Sequence, residues 1–374
     1  MHGAALQHYA SLGGASMGTT WSARFLAPFC QDLPHEAQHG GQTTHASRES
    51  TSSPRNTQHA AGPGVKAGMP FVASDMAPDA SSALLARLQH SIQMALGEIV
   101  TQMSTWDPES EISRLNRAEP GWYQVSPDFF KVLTHALELA QATQGAYDPT
   151  AGALVNLWGF GPAGAISAPP TEQAIHNALA LGGWQRTALN TEHRGVWQPG
   201  GLQFDLSSIA KGYGVDQMAQ VLEQAGVEHY LVELGGELKA RGLNPEGKPW
   251  SLDIESPSLG QEKLPVALNN AAIATSGHYR RYFTHGNRRY AHTVNPQTGW
   301  PLPDNLVSVS VIHPQCMMAD GLATALLALG PEHGPAYARR HGVAALFMTR
   351  HPNDFAVDWT ETFTQLASAQ AAPS

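Results

Sequence analysis

Two residues near the C-terminal end of the chain have the types and spacing of a metal site. Asp320 and Thr324 lie four positions apart in an otherwise apolar stretch that is predicted to form a helix. Side chains four apart share one face of a helix, so both oxygen groups are expected to point the same way. Hard oxygen ligands in this arrangement suit Mg²⁺, especially when substrate phosphates share the ion. A helix-capping role for Asp320 explains the same residue without a metal.

A second pattern is typical of phosphate binding. The segment from Asp205 to Gly214 reads Asp-Leu-Ser-Ser-Ile-Ala-Lys-Gly-Tyr-Gly and opens a predicted helix from Ser208 to Ala225. A helix N-terminus built of small residues presents free N–H groups to a phosphate, and Lys211 adds a positive charge. The order of Gly and Lys differs from that of a Walker A loop. An ordinary capped helix start is the alternative.

Aromatic residues beside glycines and carboxylates indicate where a flat ring could bind. Trp106 follows an amphipathic helix, and Tyr147 and Asp148 precede a Gly-rich segment that contains Trp158 and Phe160. Aromatic side chains stack on planar ligands. They also fill hydrophobic cores, and these segments taken alone do not separate the two roles.

Several predicted strand ends carry groups that serve anion binding or proton transfer. Ser276 and Gly277 are followed by Arg280 and Arg281, which suits an anion. His292 precedes a turn, where a histidine can act as a general base or contact a phosphate. Solvated loops and a structural histidine are the plain alternatives. The same holds for the turns around Met17-Gly18-Thr19 and Gly235-Gly236, where a ligand could approach the backbone closely.

The elements that must position these groups alternate between helices and hairpin-like strands, which favours a mixed α+β fold over a βαβ repeat. Helices are predicted at 82–103, 126–145, 172–182, 208–225 and 318–329, and strands at 21–25, 230–234, 250–255, 271–275, 289–294, 306–312 and 344–349. Residues 28–80 are rich in Ser, Thr, Gln, Gly, His and Pro, so we predict a disordered insertion there. Residues 366–374 form a predicted frayed tail.

Composition narrows the classes of function. The 374 residues carry a net charge of −9, which disfavours nucleic-acid binding, and the two cysteines lack zinc-ligand spacing. No apolar run reaches the roughly 18 residues of an integral membrane span. The N-terminus lacks the basic region and the long apolar region of a signal peptide, and it has no lipobox cysteine. The sequence as written therefore predicts a cytoplasmic protein.

The order of the motifs resembles the ApbE family of flavin transferases. The matching motifs, in chain order, are Met-Gly-Thr, Met-Ser-x-aromatic, Asp-Pro-Thr with Leu-Trp-Gly-Phe-Gly, Asp-Leu-Ser-x-x-x-Lys-Gly, Gly-Gly-Glu, Thr-Ser-Gly, His-x-x-x-Pro-x-Thr-Gly and Ala-Asp with a following Thr. The similarity covers about residues 11–27 and 82–350 and implies one flavin transferase domain over 11–365. That domain has ApbE-like mixed sheets flanked by helices.

The resemblance also implies a reaction and its partners. In this family the FMN part of FAD is transferred, with Mg²⁺ and release of AMP, to a Thr or Ser of a target flavoprotein. The acceptor would carry a Ser/Thr-Gly-Ala-Thr-like motif, as in a redox-pump or reductase subunit. Many relatives are exported, which makes a periplasmic, inner-membrane-associated location the alternative compartment. Hydrolysis of FAD to FMN and AMP, or flavin binding without catalysis, are the alternative functions.

The resemblance assigns roles to twelve residues. It implies flavin or adenine contacts at Met17, Trp106, Ala146, Tyr147, Asp148 and Val294, and FAD contacts at Asp205 and Lys211. It implies Mg²⁺ ligation by Ser208 (through its backbone carbonyl), Asp320 and Thr324, and it makes His292 the group that assists attack by the acceptor hydroxyl. Two positions depart from the pattern: Trp106 replaces a common Tyr, and Ala323 stands where some relatives have a second Asp.

Overall fold

The computed structural model describes residues 9–27, 78–254, 264–278, 281–351 and 355–369. Its strands are β1 Tyr9–Ser16, β2 Thr19–Leu26, β3 Gly121–Gln124, β4 Leu189–Asn190, β5 Gly195–Gln198, β6 Tyr230–Leu234, β7 Glu237–Arg241, β8 Trp250–Ile254, β9 Leu264–Leu268, β10 Ala271–Gly277, β11 Tyr282–His285, β12 Arg288–Ala291, β13 Leu306–His313, β14 Ala344–Arg350 and β15 Phe355–Trp359. Its helices are α1 Pro78–Met103, α2 Glu111–Asn116, α3 Pro127–Ala142, α4 Gly152–Leu157, α5 Glu172–Leu181, α6 Ala210–Gln224, α7 Cys316–Arg340 and α8 Glu361–Ala369.

An eight-stranded sheet in the order β1-β2-β6-β7-β10-β13-β14-β15 forms the centre of the fold. Every neighbouring pair in it is antiparallel. Three smaller antiparallel sheets accompany it, namely β3-β5-β4, β8-β9 and β11-β12. Mixed helices and antiparallel sheets confirm the predicted α+β class.

Alternation along the strands gives the central sheet two different faces. In β2, Trp21, Ala23 and Phe25 are buried against α1 and α6, while Ser22 and Arg24 point to the opposite side. This follows from the period of two in a strand. Helix α7 packs on the same side as α1 and α6, and the β8–β9 hairpin and α8 pack on the other side. The first side therefore holds most of the helical core.

Helix boundaries follow local signals. Ser126 precedes α3 with Pro127 in its first turn, and the Thr171 hydroxyl accepts from Ala174 N–H at the start of α5, as the sequence predicts. Helix α7 breaks at Gly330, whose φ of 79° and ψ of −177° are not helical, before Pro331. The predicted helix end near Leu329 is therefore confirmed as a kink.

Two helix ends differ from the prediction, and one predicted segment lies mostly outside the described residues. Helix α1 begins at Pro78 rather than at Ser82, because proline is well suited to a first helical turn. The predicted disordered insertion lies, apart from 78–80, outside the described residues. Helix α8 continues to Ala369, four residues into the stretch that the sequence assigns to a frayed tail. Among the described helices, none combines the length and apolar character that a bilayer span requires.

Candidate active site

A cavity of about 900 Å³ gathers eleven of the twelve residues that the sequence singles out. They are Trp106, Ala146, Tyr147, Asp148, Asp205, Ser208, Lys211, His292, Val294, Asp320 and Thr324. Met17 is the exception, since it lies in the β1–β2 turn and is half-buried against the hydrophobic core. The eleven residues come from five separate segments of the chain, which meet at one site.

Helices α6 and α7 cap each other and so fix the acidic centre of the cavity. The Asp320 carboxylate of α7 accepts from the Gly212 N–H in the first turn of α6, at 2.9 Å. In return, Asp216 of α6 accepts from Cys316 N–H and Met317 N–H at the start of α7, at 3.1 and 2.9 Å. Asp320 is therefore a capping residue, as the alternative interpretation held, but for the neighbouring helix. Its second carboxylate oxygen is not needed for this role.

Lys211 and Glu237 form an ion pair beside Asp320. Burial raises the pKa of Asp320 to about 7, and the Glu237 carboxylate adds to this while the positive charge of Lys211 opposes it. Burial alone would lower the pKa of Lys211, but the Glu237 and Asp320 carboxylates outweigh it and raise that pKa. The lysine is therefore a fixed positive charge in the wall of the cavity. Glu237 comes from the Gly-Gly-Glu motif, which the sequence marks without giving it a role.

The oxygen groups around Asp320 fit a hard cation. Thr324 follows Asp320 by one helical turn, and its hydroxyl lies 2.8 Å from that of Ser276. Ser208 also lines the cavity, and its hydroxyl donates to the Tyr147 hydroxyl at 3.0 Å. One carboxylate with neutral oxygens suits Mg²⁺, which commonly keeps waters and takes further oxygens from substrate phosphates. Among the described residues, no group of three or more His, Cys, Asp or Glu side chains is arranged so that it could hold a metal ion.

His292 is held as a neutral base. Its Nδ1 lies 3.1 Å from the Arg281 carbonyl oxygen, which can only accept, so Nδ1 carries the proton and Nε2 keeps its lone pair. Burial lowers the pKa of His292 to about 4; the hydrogen bond to the Arg281 carbonyl opposes this shift, and the charges of Arg281 and Lys211 add to it. At neutral pH the ring can therefore accept a proton at Nε2.

Some residues that line the cavity have their polar groups engaged elsewhere. The Asp148 carboxylate accepts from Thr150 N–H at 2.8 Å and from Trp184 N–H at 3.2 Å, and burial raises its pKa. Trp158 is fully buried and donates to the Gly299 carbonyl at 2.7 Å. These two residues hold the Gly-rich corner together, which was the structural alternative for this segment.

The residues that line the cavity fall into two groups, here called its two arms, and Lys211, Asp320 and Thr324 line the same cavity. The first arm comprises Trp106, which is 58% exposed, with Tyr147 and Asp205. The second arm crosses the sheet face opposite the helical core. It is lined by Ser22, Arg24, Leu231, Glu233, Leu238, Ser251, Leu252 and Ile273. No pattern in the sequence indicates the second arm, because only strand pairing brings β2, β6 and β10 together.

Comparison with known proteins supports one family. A family model described as the ApbE family matches residues 68–347. The FAD:protein FMN transferase of Haemophilus influenzae is 38% identical over 292 residues, or 76% of this chain and 84% of the relative. That of Vibrio cholerae is 40% identical over 275 residues, or 72% of this chain and 81% of the relative.

Solved structures give the same result. The flavinyl transferase ApbE of Pseudomonas stutzeri, in its apo form, superposes with a TM-score of 0.77 at 31% identity, covering 98% of both chains. The flavin transferase ApbE of Vibrio cholerae superposes with a TM-score of 0.75 at 32% identity, covering 96% of this chain and 99% of the other.

Proposed function

The chain belongs to the ApbE family, and we propose that it is an FAD:protein FMN transferase that moves FMN to a Thr or Ser hydroxyl with release of AMP. The observation that carries the proposal is the single cavity in which Lys211, Asp320 and Thr324 are lining residues together with the residues of both arms. FAD has a matching layout, because its pyrophosphate lies between an adenosine half and a flavin half. The exposed Trp106 offers a stacking surface for a ring in the first arm.

Protein groups supply the positioning that phosphoryl transfer needs. Lys211 places a fixed positive charge where the pyrophosphate would lie. Ser208, Asp320 and Thr324 would hold Mg²⁺. The bound ion would supply neutralisation of the charge on the pyrophosphate oxygens and on the departing AMP.

His292 is positioned to accept the proton of the attacking hydroxyl. The acceptor oxygen attacks the phosphorus of the FMN half, and the bond from that phosphorus to the AMP phosphate oxygen breaks. The hydroxyl proton passes to His292 Nε2, which is unprotonated at neutral pH because burial and nearby cations lower the pKa of the ring. The products are a phosphoester-linked flavoprotein and AMP. We propose that the acceptor segment carries a Ser/Thr-Gly-Ala-Thr-like motif.

The proposal is tested by incubating the protein with FAD, Mg²⁺ and a carrier protein that bears such an acceptor segment. We expect a covalently fluorescent acceptor, detected by in-gel flavin fluorescence, together with an equal amount of AMP. AMP without a fluorescent acceptor would contradict transfer and indicate FAD hydrolysis. Tight FAD binding with neither product would indicate a flavin-binding protein.

A pair of variants tests whether Asp320 takes part in the transfer reaction. Asp320→Asn keeps an acceptor for Gly212 N–H but loses the negative charge, so we expect the transfer rate to fall by about 10²- to 10³-fold, as for loss of one transition-state contact. The matched control is Asp304→Asn, an exposed carboxylate outside the cavity, which should keep the normal rate. Equal transfer rates in the two variants would contradict a role of Asp320 in the transfer reaction.

A further inference from the structure

Arg281 contacts two parts of the site, namely His292 and the aromatic residues Trp106 and Phe160. Its backbone carbonyl accepts from both the backbone N–H and the Nδ1 of His292, each at 3.1 Å. The carbonyl therefore fixes the ring orientation and the tautomer of the proposed base. From the sequence, Arg281 is only one of two arginines that follow a predicted strand end.

The guanidinium of Arg281 reaches the other part, the aromatic mouth of the cavity. Its central carbon lies 5.9 Å from the centre of the Trp106 ring and 5.8 Å from that of Phe160. Its Nη2 donates to the Phe160 carbonyl at 2.7 Å, which holds the planar group in place. Cation–π contacts at this distance favour one relative placement of the ring and the charge. Arginine has five N–H donors, so most remain for a ligand.

We propose that Arg281 is a positioning residue of the transferase site, which holds Trp106 at the mouth through its guanidinium and His292 in place through its carbonyl. This inference rests on the proposed function. The residue couples the surface on which a ring of FAD would stack to the base that takes the acceptor proton. A ring that binds well on Trp106 thus lies in a fixed relation to His292.

Charge gives the proposal a second consequence. The charged or titratable groups near the His292 ring are Arg281, Lys211 of α6 and the buried His278. Lys211 is paired with Glu237, whereas no carboxylate pairs with Arg281 among the described residues. Removing the guanidinium should therefore make His292 easier to protonate, whereas changing its shape alone should not.

Two substitutions separate these effects. Arg281→Lys keeps the charge but loses the planar group, so we expect the KM for FAD to rise about fivefold with an unchanged acidic limb of kcat/KM against pH. Arg281→Gln loses both, so we expect the KM to rise about tenfold and the acidic limb to move to higher pH. Both variants keep the backbone carbonyl, so kcat at neutral pH should change less than KM.

The matched control is Arg288→Gln. Arg288 lies on the neighbouring strand β12 with its guanidinium 5.1 Å from the Tyr290 ring, but it does not line the cavity. We expect its KM and pH profile to stay within twofold of those of the unmodified protein. If Arg281 had only a structural role, its substitution would change the melting temperature but neither the KM for FAD nor the acidic limb.

The outcomes keep this proposal distinct from the proposed function. Normal KM and a normal acidic limb in Arg281→Gln, with active unmodified protein, would overturn the role of Arg281 and leave the transferase intact. Absence of transfer by the unmodified protein would overturn the proposed function instead. In that case the Kd for FAD, measured by flavin fluorescence quenching, still tests Arg281, and equal Kd values in all variants overturn it. If Arg281→Gln does not fold, the fivefold rise in KM expected for Arg281→Lys tests the positioning role, and an unchanged KM in that variant overturns it.

Discussion

At the scale of single residues, residue type is a weaker guide to role than the partners that each polar atom has. Asp148 and Asp320 are both carboxylates that line the cavity. The Asp148 oxygens accept from Thr150 and Trp184, so they stabilise a turn. One carboxylate oxygen of Asp320 accepts from Gly212 N–H, and the residue lies among the oxygens of the proposed cation site. Local hydrogen bonds therefore separate a structural from a chemical role.

His278 is a buried histidine whose two ring nitrogens have no hydrogen-bond partner among the residues that the structure describes. Burial lowers its pKa to about 3, with His292 and Arg289 adding to the effect. The unfolded chain takes up a proton below the ordinary value of about 6.5, while the folded protein does not until about pH 3. Stability should therefore fall as pH drops from about 6.5. From pH 7 to 5, this one group should cost about 2 kcal/mol.

The substitution His278→Leu tests this. It removes the titrating group and leaves no polar atom unpaired, so we expect equal or greater stability at pH 7 and a smaller loss of stability toward pH 5. The measurement is urea unfolding at several pH values. The exposed His193 provides the control, because His193→Leu should leave the pH dependence as it is. A parallel pH dependence in His278→Leu and the unmodified protein would contradict the assignment.

At the scale of elements, the site depends on how closely α6 and α7 approach. A Cβ added at Gly212 would lie 2.3 Å from the Cys316 carbonyl oxygen and 2.8 Å from Asp320 Cβ. Backbone atoms cannot give way as a flexible side chain can, so only glycine fits there. The contact also places Lys211 and Asp320 side by side. Glycine in the Lys-Gly motif is thus explained by packing between helices.

Gly212→Ala should therefore destabilise the protein by about 1–3 kcal/mol through overpacking, despite the better helix propensity of alanine. Because α7 must move, transfer activity should fall as well. Thermal or urea unfolding and the transfer assay measure the two effects.

Gly97→Ala in α1 is the matched control. Gly97 is helical too, but a Cβ there meets nothing within 4 Å. Here the propensity gain of about 0.5–1 kcal/mol should appear as stabilisation with unchanged activity. If Gly212→Ala and Gly97→Ala changed the stability in the same way, the contact between α6 and α7 would be less tight than the structure shows.

At the scale of the whole molecule, the cavity is lined by segments that are far apart in the chain. The first arm is walled by the segments around α4 and the β11–β12 hairpin, and the second by β2, β6 and the β8–β9 hairpin. A ligand that fills both arms would contact most of the fold at once. Binding should therefore raise the stability of the whole molecule rather than of one element.

We expect FAD with Mg²⁺ to raise the melting temperature, with a gain of about 2.7 kcal/mol at a free concentration of 100 Kd. If FAD spans both arms, AMP and FMN would each fill one of them and should each give a smaller shift than FAD. Differential scanning fluorimetry with an extrinsic dye far from flavin emission, or calorimetry, measures this. An AMP shift equal to that of FAD would show that the flavin half does not take part in binding.

The sequence by itself determined the α+β class, most helix starts and the order of motifs that places the chain in its family. These depend on residues near one another in the chain, such as Ser126 with Pro127, or the alternation in β2. Motif order also pointed to eleven residues that the cavity brings together. Such signals survive without tertiary structure because local sterics and periodicity produce them.

Only the tertiary structure decided which of these residues act together. It paired Lys211 with Glu237, capped α7 with Asp216 from 100 residues earlier, left Met17 outside the cavity lining and brought Arg281 between Trp106 and His292. The second arm likewise exists only because β2 pairs with β6. Contacts of this kind depend on packing between distant segments, and no local pattern in the chain encodes which segments will meet.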